Sequence, residues 1–243
     1  MPEIIMLDEA ASTNTEAALR DPAHATVIAC RRQTAGRGQR GNTWEAAPGE
    51  NLTFSLVLRP QAIEACRQFE ISEVVSLAIV DVLRRHIGEG LAIKWPNDIY
   101  WHDKKICGIL IENAVCGGGI ERSIAGIGIN VNQVEFLSDA PNPVSMRAIT
   151  RTEYPLDALL DEFVNEIVGA FDAYEKALDF ESLHALYCAA LWRGEGLWPW
   201  HDAVAGEDIE AEIVSVGPMG HLTLRLVDGT ERAYAFKEVA AIL

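Results

Sequence analysis

Residues 91–112, LAIKWPNDIYWHDKKICGILIE, read as a short strand, a rigid break and a hairpin. LAIKW suits a pleated surface, Pro96 and Asn97 interrupt it, and IYW and KICGILIE pair around His102 and Asp103. That hairpin lets Asp98, at the head of one strand, face Lys105, at the head of the next. Working outward, TVIAC (26–30) and LTFSLVL (52–58) are strands flanking a loop, and IAGIGIN (124–130) is a further buried strand. Between them Val75, Ala78, Ile79, Val82 and Leu83 repeat at three and four, which gives an amphipathic helix over 72 to about 87, ended by Gly88 and Gly90. Thr13 and Glu16 have capping-box spacing and open a helix over 12–20. Two more helices are expected at about 156–179 and 181–192, the first on a stripe from Leu156 to Tyr174.

After Arg193 the texture changes to short strands alone: IEAEIVSV, HLTLRLV and ERAYAF, separated by GPMG and Asp228-Gly229. The chain therefore divides into residues 1–192 and 193–243, and the second piece, too small to be stable alone, docks on the first. Strands followed by helices and then by strands give an α/β chain of the α+β kind, with a mixed, mainly antiparallel sheet.

The 243 residues are 49% apolar, enough for one substantial core, and carry 36 Asp plus Glu against 20 Lys plus Arg, for a net charge of −16. Such a balance supplies no counterion-release term for general nucleic-acid binding. Within it, RRQTAGRGQR (31–40) reverses the sign: Arg31, Arg32, Arg37 and Arg40 stand together with no acid among them. Gly36, Gly38 and Gly41 allow close backbone approach, so amides and guanidinium groups can surround a phosphate or carboxylate there. MPEIIMLDEA has no basic leader followed by an apolar run, and no segment has the ~20 apolar residues of a bilayer span, so a soluble, cytoplasmic protein is expected. Cys30, Cys66, Cys107, Cys116 and Cys188 form no CxxC pair, which points to reduced thiols and to no dedicated metal site.

Taken singly, GRGQRG can be a solvated turn, Ser12-Thr13-Asn14 a helix cap, Asp98 a turn stabiliser and GIGIN a tight core strand. In order along the chain they say more. Ser12-Thr13-Asn14, Gln33-x-x-Gly36-Arg37-Gly38, Trp44, Lys94-Trp95-Pro96-Asn97-Asp98, Lys105-x-x-Gly108-Ile109-Leu110 and Gly126-Ile127-Gly128-Ile129-Asn130 closely resemble biotin protein ligases over essentially the whole chain. The resemblance implies the class II synthetase-like catalytic fold over 1–192 and an SH3-like β barrel over 193–243. It implies ATP and biotin as substrates, Mg2+ carried with the nucleotide, and a biotin carboxyl carrier domain of an acyl-CoA carboxylase as partner, the enzyme acting as monomer or homodimer without membrane or nucleic acid. Biotin is activated as biotinyl-5′-AMP with release of pyrophosphate, then passed to a carrier lysine.

Residue by residue, the resemblance gives Lys105, Arg37 and Asp98 catalytic roles. It assigns biotin contacts to Ser12, Thr13, Asn14, Gln33, Arg37, Gly38, Gln39, Lys105 and Gly108, and nucleotide contacts to Arg37, Arg40, Trp44, Asn97, Lys105 and Asn130. The chain departs from the family pattern at Gln39 and Asn42, where arginines are common. Either the lost charge loosens retention of the adenylate or Arg40 supplies it. The catalytic signature begins close to Met1, so a pure enzyme without a DNA-binding domain is expected. Two other readings stand beside this one: a lipoate ligase or octanoyl transferase, disfavoured by GRGQRG with KWPND, and a non-catalytic RNA or nucleotide binder, disfavoured by net charge.

Overall fold

The structure is a computed structural model and describes residues 2–38, 43–137 and 142–243. A seven-stranded sheet runs in the order β1-β2-β3-β7-β6-β5-β4, built from β1 (Glu3–Ala10), β2 (Thr26–Gln33), β3 (Leu52–Leu58), β4 (Leu91–Lys94), β5 (Asp98–Trp101), β6 (Lys104–Cys116) and β7 (Gly119–Ile129). Only β1 and β2 pair in parallel, joined through α1 (Thr13–Arg20); the other pairs are antiparallel.

Strand alternation decides what each face does. Leu52, Phe54, Leu56 and Leu58 of β3, Ala125, Ile127 and Ile129 of β7, Cys107 and Ile109 of β6 and Ile93 of β4 enter one core with α2 (Phe69–Ile87) and α4 (Leu156–Ala177). Each such fully buried aliphatic side chain contributes about 1.5–3 kcal/mol. The intervening residues face the other way, where α1 covers only one end through Ala17, Ile28, Val57 and Ile124. The rest of that face, carrying Ser55, Gly126, Gly128, Gly108, Leu110 and Glu112 at alternate positions, is open to form a site.

A second, antiparallel sheet of β8 (Trp198–Asp202), β9 (Glu207–Val216), β10 (Leu222–Leu226), β11 (Glu231–Tyr234) and β12 (Val239–Ala241) has the order β11-β10-β9-β8-β12. Among the described residues its end strands, β11 and β12, do not pair with each other. It docks through aromatic side chains. Trp95 Nε1 donates to the Gly220 carbonyl at 2.9 Å, and the Phe236 ring lies 5.4 Å from Trp95 and 6.1 Å from Phe69. The two sheets share one hydrophobic core. No helix among the described residues is long and apolar enough to cross a membrane.

Several boundaries differ from the sequence reading. Ser12, not Thr13, is the N-cap of α1 and makes no side-chain cap bond; Glu16 pairs instead with Arg20 one turn on, at 3.3 Å. The last long helix, α5 (Phe180–Ala189), stops short of 192 because Ile93 of β4 donates to the Ala190 carbonyl and Trp192 donates back to Ile93. A short α3 (Met146–Thr150), capped by Ser145, was not foreseen.

Candidate active site

The open face of the large sheet and the edge of the small one enclose a cavity of about 910 Å3. Ser12, Thr13, Asn14, Gln33, Arg37, Gly38, Trp44, Asn97, Asp98, Lys105, Gly108 and Asn130 all line it. Gln39 and Arg40 lie outside the described residues.

The arginine loop leaves the sheet between β2 and β3 and folds back on itself: Arg37 and Thr43 form an antiparallel bridge, and Trp44 N donates to Gly36 O at 3.1 Å. From this stem Trp44 reaches down to the sheet floor. A Cβ on Gly128 would strike the indole ring, and one on Gly108 would lie 2.9 Å from Trp44 Cζ3, so both glycines exist for close approach. The indole Nε1 is buried without a partner among the described residues, a donor unused by the protein.

At the hairpin, Lys105 Nζ stands 2.7 Å from Asp98 Oδ2 and 5.6 Å from the Trp44 ring. Close by, Lys94 Nζ donates to Tyr100 Oη at 3.1 Å and lies over the rings of Tyr100 and Trp192. Burial pushes the Lys94 ammonium below the ordinary lysine range, against the pull of Asp98, and burial, aided by the Asp98 charge, pushes the Tyr100 phenol up to about 12. Lys94 and Lys105 thus stand together at this end of the site with Asp98 as their counter-charge.

At the other end, Gln33 Oε1 accepts from Thr13 N at 2.8 Å and Thr13 Oγ1 at 3.3 Å, which turns the amide and leaves its Nε2 as the group to offer a ligand. Ser12 contributes a hydroxyl with no capping duty. Asn14 is different: its Nδ2 donates to Glu112 Oε2 at 2.7 Å and Leu110 O at 3.3 Å, and its Oδ1 accepts from Ser55 at 2.6 Å. Both donors are committed to protein, so Asn14 builds the wall more than it reads a ligand. Asn97 likewise ties the hairpin turn to the Ile109 carbonyl at 2.7 Å.

Asn130 donates through Nδ2 to the carbonyls of Val144 at 3.1 Å and Lys105 at 3.4 Å. Those bonds fix the amide so that Oδ1, buried and without a partner among the described residues, is a standing acceptor beside the cavity.

The sequence reading missed Glu112, Ser55, Tyr100, Trp192 and the small sheet's share of the wall, including Lys237 and Trp200. Glu112 was within reach of strand alternation, being two and four residues beyond Leu110 and Gly108 on one face.

A family model described as the biotin/lipoate A/B protein ligase family matches residues 8–130. A biotin--[acetyl-CoA-carboxylase] ligase of Paracoccus denitrificans is 33% identical over 239 residues, covering 88% of this chain and 95% of that protein. The chain belongs to the biotin/lipoate A/B protein ligase family. Its fold matches the biotin protein ligase of Aquifex aeolicus, solved in complex with biotin and ATP, with a TM-score of 0.82 at 22% identity over 99% of this chain and 98% of that one. The biotin protein ligase of Leishmania major, solved with biotinyl-5-AMP, matches with a TM-score of 0.67 at 25% identity over 97% and 99% of the two chains. The family match spans β2, the loop stem, the KWPND turn, β6 and β7, which are the elements that enclose the cavity.

Proposed function

We propose that this chain is an ATP-dependent biotin protein ligase acting on the biotin carboxyl carrier domain of an acyl-CoA carboxylase. The observation that carries the reading is the Lys105–Asp98 pair, 2.7 Å apart in one cavity with Arg37 and the unpartnered Asn130 acceptor. The similarity to the Paracoccus denitrificans ligase over most of both chains supports the substrate pair and the carboxylase partner.

In the first step the biotin carboxylate oxygen bonds to the α-phosphorus of ATP, and the bond to the bridging oxygen of the β-phosphate breaks, releasing pyrophosphate. Two anions repel on approach, so fixed cations must neutralise them in the transition state. Lys105 takes that role as a compact charge at the junction, and Arg37 spans carboxylate and phosphate from the loop stem. Gln33, Ser12 and Thr13 read the neutral ureido ring, with Asn14 holding their wall, while Gly38 and Gly108 let it come close. Asn130 Oδ1 accepts from the adenine exocyclic amine, and Trp44 with Asn97 shapes the nucleotide side. Mg2+ carried with the nucleotide phosphates would supply further charge neutralisation beside Lys105 and Arg37.

In the second step a carrier lysine amine attacks the acyl carbon and AMP leaves. The amine must shed a proton, since free lysine titrates near ~10.4, and Asp98, a carboxylate of the cavity wall beside Lys105, directs it. We assign the catalytic unit to residues 1–192 and the docked small sheet to 193–243. ATP–pyrophosphate exchange measured with and without biotin, followed by transfer of labelled biotin to a carrier domain, tests the reading. Exchange driven by lipoate in place of biotin would reject it.

A further inference from the structure

We infer that Glu112 is the positioning residue that docks the arginine loop against the sheet, setting the guanidinium of Arg37 for anion binding. This rests on the ligase reading and adds to it a residue to which the motif comparison gave no role. Glu112 sits on β6, two residues past Leu110 and four past Gly108 on the same face, just beyond the cavity wall. Its carboxylate is shared. Oε2 accepts from Asn14 Nδ2 at 2.7 Å and from Arg37 Nη2 at 3.0 Å, while Oε1 lies 3.3 Å from Arg37 Nη1.

The two-point contact makes a planar fork, which fixes the rotation of the guanidinium as well as its position. Among the described residues two of the five N–H groups on Arg37 are engaged, which leaves Nε and one hydrogen on each Nη for a ligand. Because Arg37 is bridged to Thr43 through the backbone, holding its side chain also holds the loop stem that carries Trp44 onto Gly128. The other arm of the carboxylate orients Asn14, whose Oδ1 then accepts from Ser55. One carboxylate thus ties together α1, the loop stem and β6, three elements that are distant in sequence. Without it, a loop rich in glycine must be ordered by the ligand itself, at a cost in affinity.

The test is Glu112→Gln, which keeps an acceptor for Asn14 and removes the charge that holds Arg37, assayed by biotin-dependent ATP–pyrophosphate exchange alone and in an Arg37→Gln background. Wild-type exchange must first depend on biotin; if it does not, the ligase reading falls whatever Glu112 does. Given that dependence, E112Q is expected to raise the KM for biotin and ATP about two- to fivefold, the range of a partly exposed ion pair, with kcat changed less than about twofold. In the R37Q background the same substitution should have no further effect on KM. An unchanged KM in E112Q, or an equal rise with Arg37 already gone, overturns the inference. A merely structural carboxylate would lower the active fraction equally in both backgrounds and leave KM alone.

Discussion

Lys105 Nζ and Asp98 Oδ2 meet at 2.7 Å across the β5–β6 hairpin, with side chains 30% and 29% exposed. A contact this open is worth less than about 1 kcal/mol, so an incoming anion can take the ammonium away from Asp98 at small cost. Lys105→Ala should therefore leave the fold intact and cut biotin-dependent pyrophosphate exchange by about 10²- to 10³-fold, the loss typical of a missing transition-state charge contact. Near-native exchange by K105A would remove Lys105 from the first step.

Asp98→Asn keeps the volume and hydrogen-bonding reach of the side chain while removing its charge. Adenylate formation should be spared and transfer to the carrier slowed by about 10²-fold or more, within the span of general base loss. Single-turnover transfer from preformed adenylate measures this, and transfer at the wild-type rate would exclude a proton-directing role.

Asn130 offers a fixed, buried acceptor, which suits an exocyclic amine and rejects a keto oxygen. The wild type should prefer ATP over inosine triphosphate by about 10- to 100-fold, the worth of one buried hydrogen bond made or left unmade. Asn130→Ala should lose most of that preference. Equal use of both nucleotides by the wild type would show that Oδ1 does not read the base.

Gly126 and Gly128 back onto different kinds of neighbour. A methyl on Gly126 meets the Asn14 carboxamide, which Ser55, Glu112 and Leu110 hold in place, whereas one on Gly128 meets Trp44, borne on the loop stem. Gly126→Ala is expected to lose about 1–3 kcal/mol of stability by overpacking. Gly128→Ala should lose much less and instead raise the KM for both substrates. Thermal melts paired with exchange kinetics separate the two, and equal melting losses would contradict the contrast.

Glu73, buried on α2, has its carboxyl raised by burial and by Glu70, with His184 at 2.7 Å pulling the other way. The folded state thus holds this proton more tightly than the unfolded chain does. Between the ordinary value of 4.5 and the raised one, its stabilising contribution is lost as pH climbs, and below that window it is complete. Glu73→Gln, which cannot ionise, should gain in melting temperature relative to wild type as pH climbs above the ordinary carboxyl value of 4.5. A constant difference between the two proteins would refute the assignment.

Much of the site was legible because its chemistry sits in short runs: KWPND and KxxGIL marked the hairpin that brings Asp98 and Lys105 together, although in register Lys105 lies opposite Tyr100 and reaches Asp98 diagonally. What stayed hidden depends on partners far away in sequence. Glu112 looks like any exposed strand acid until Asn14 and Arg37 are brought beside it, across separations of 98 and 75 residues. β1 was missed because a parallel pair needs no turn signal, and β8 because Pro199 sits inside it. The early end of α5 reflects backbone groups taken by β4, a tertiary bond that no periodicity records.

The indole of Trp95 belongs to the KWPND turn yet finds its hydrogen-bond partner at Gly220, in the other sheet. Trimming the chain after residue 192 would take away that partner and leave the rings of Phe69 and Trp95 facing water, so the shortened remnant should clump rather than survive as a miniature catalyst.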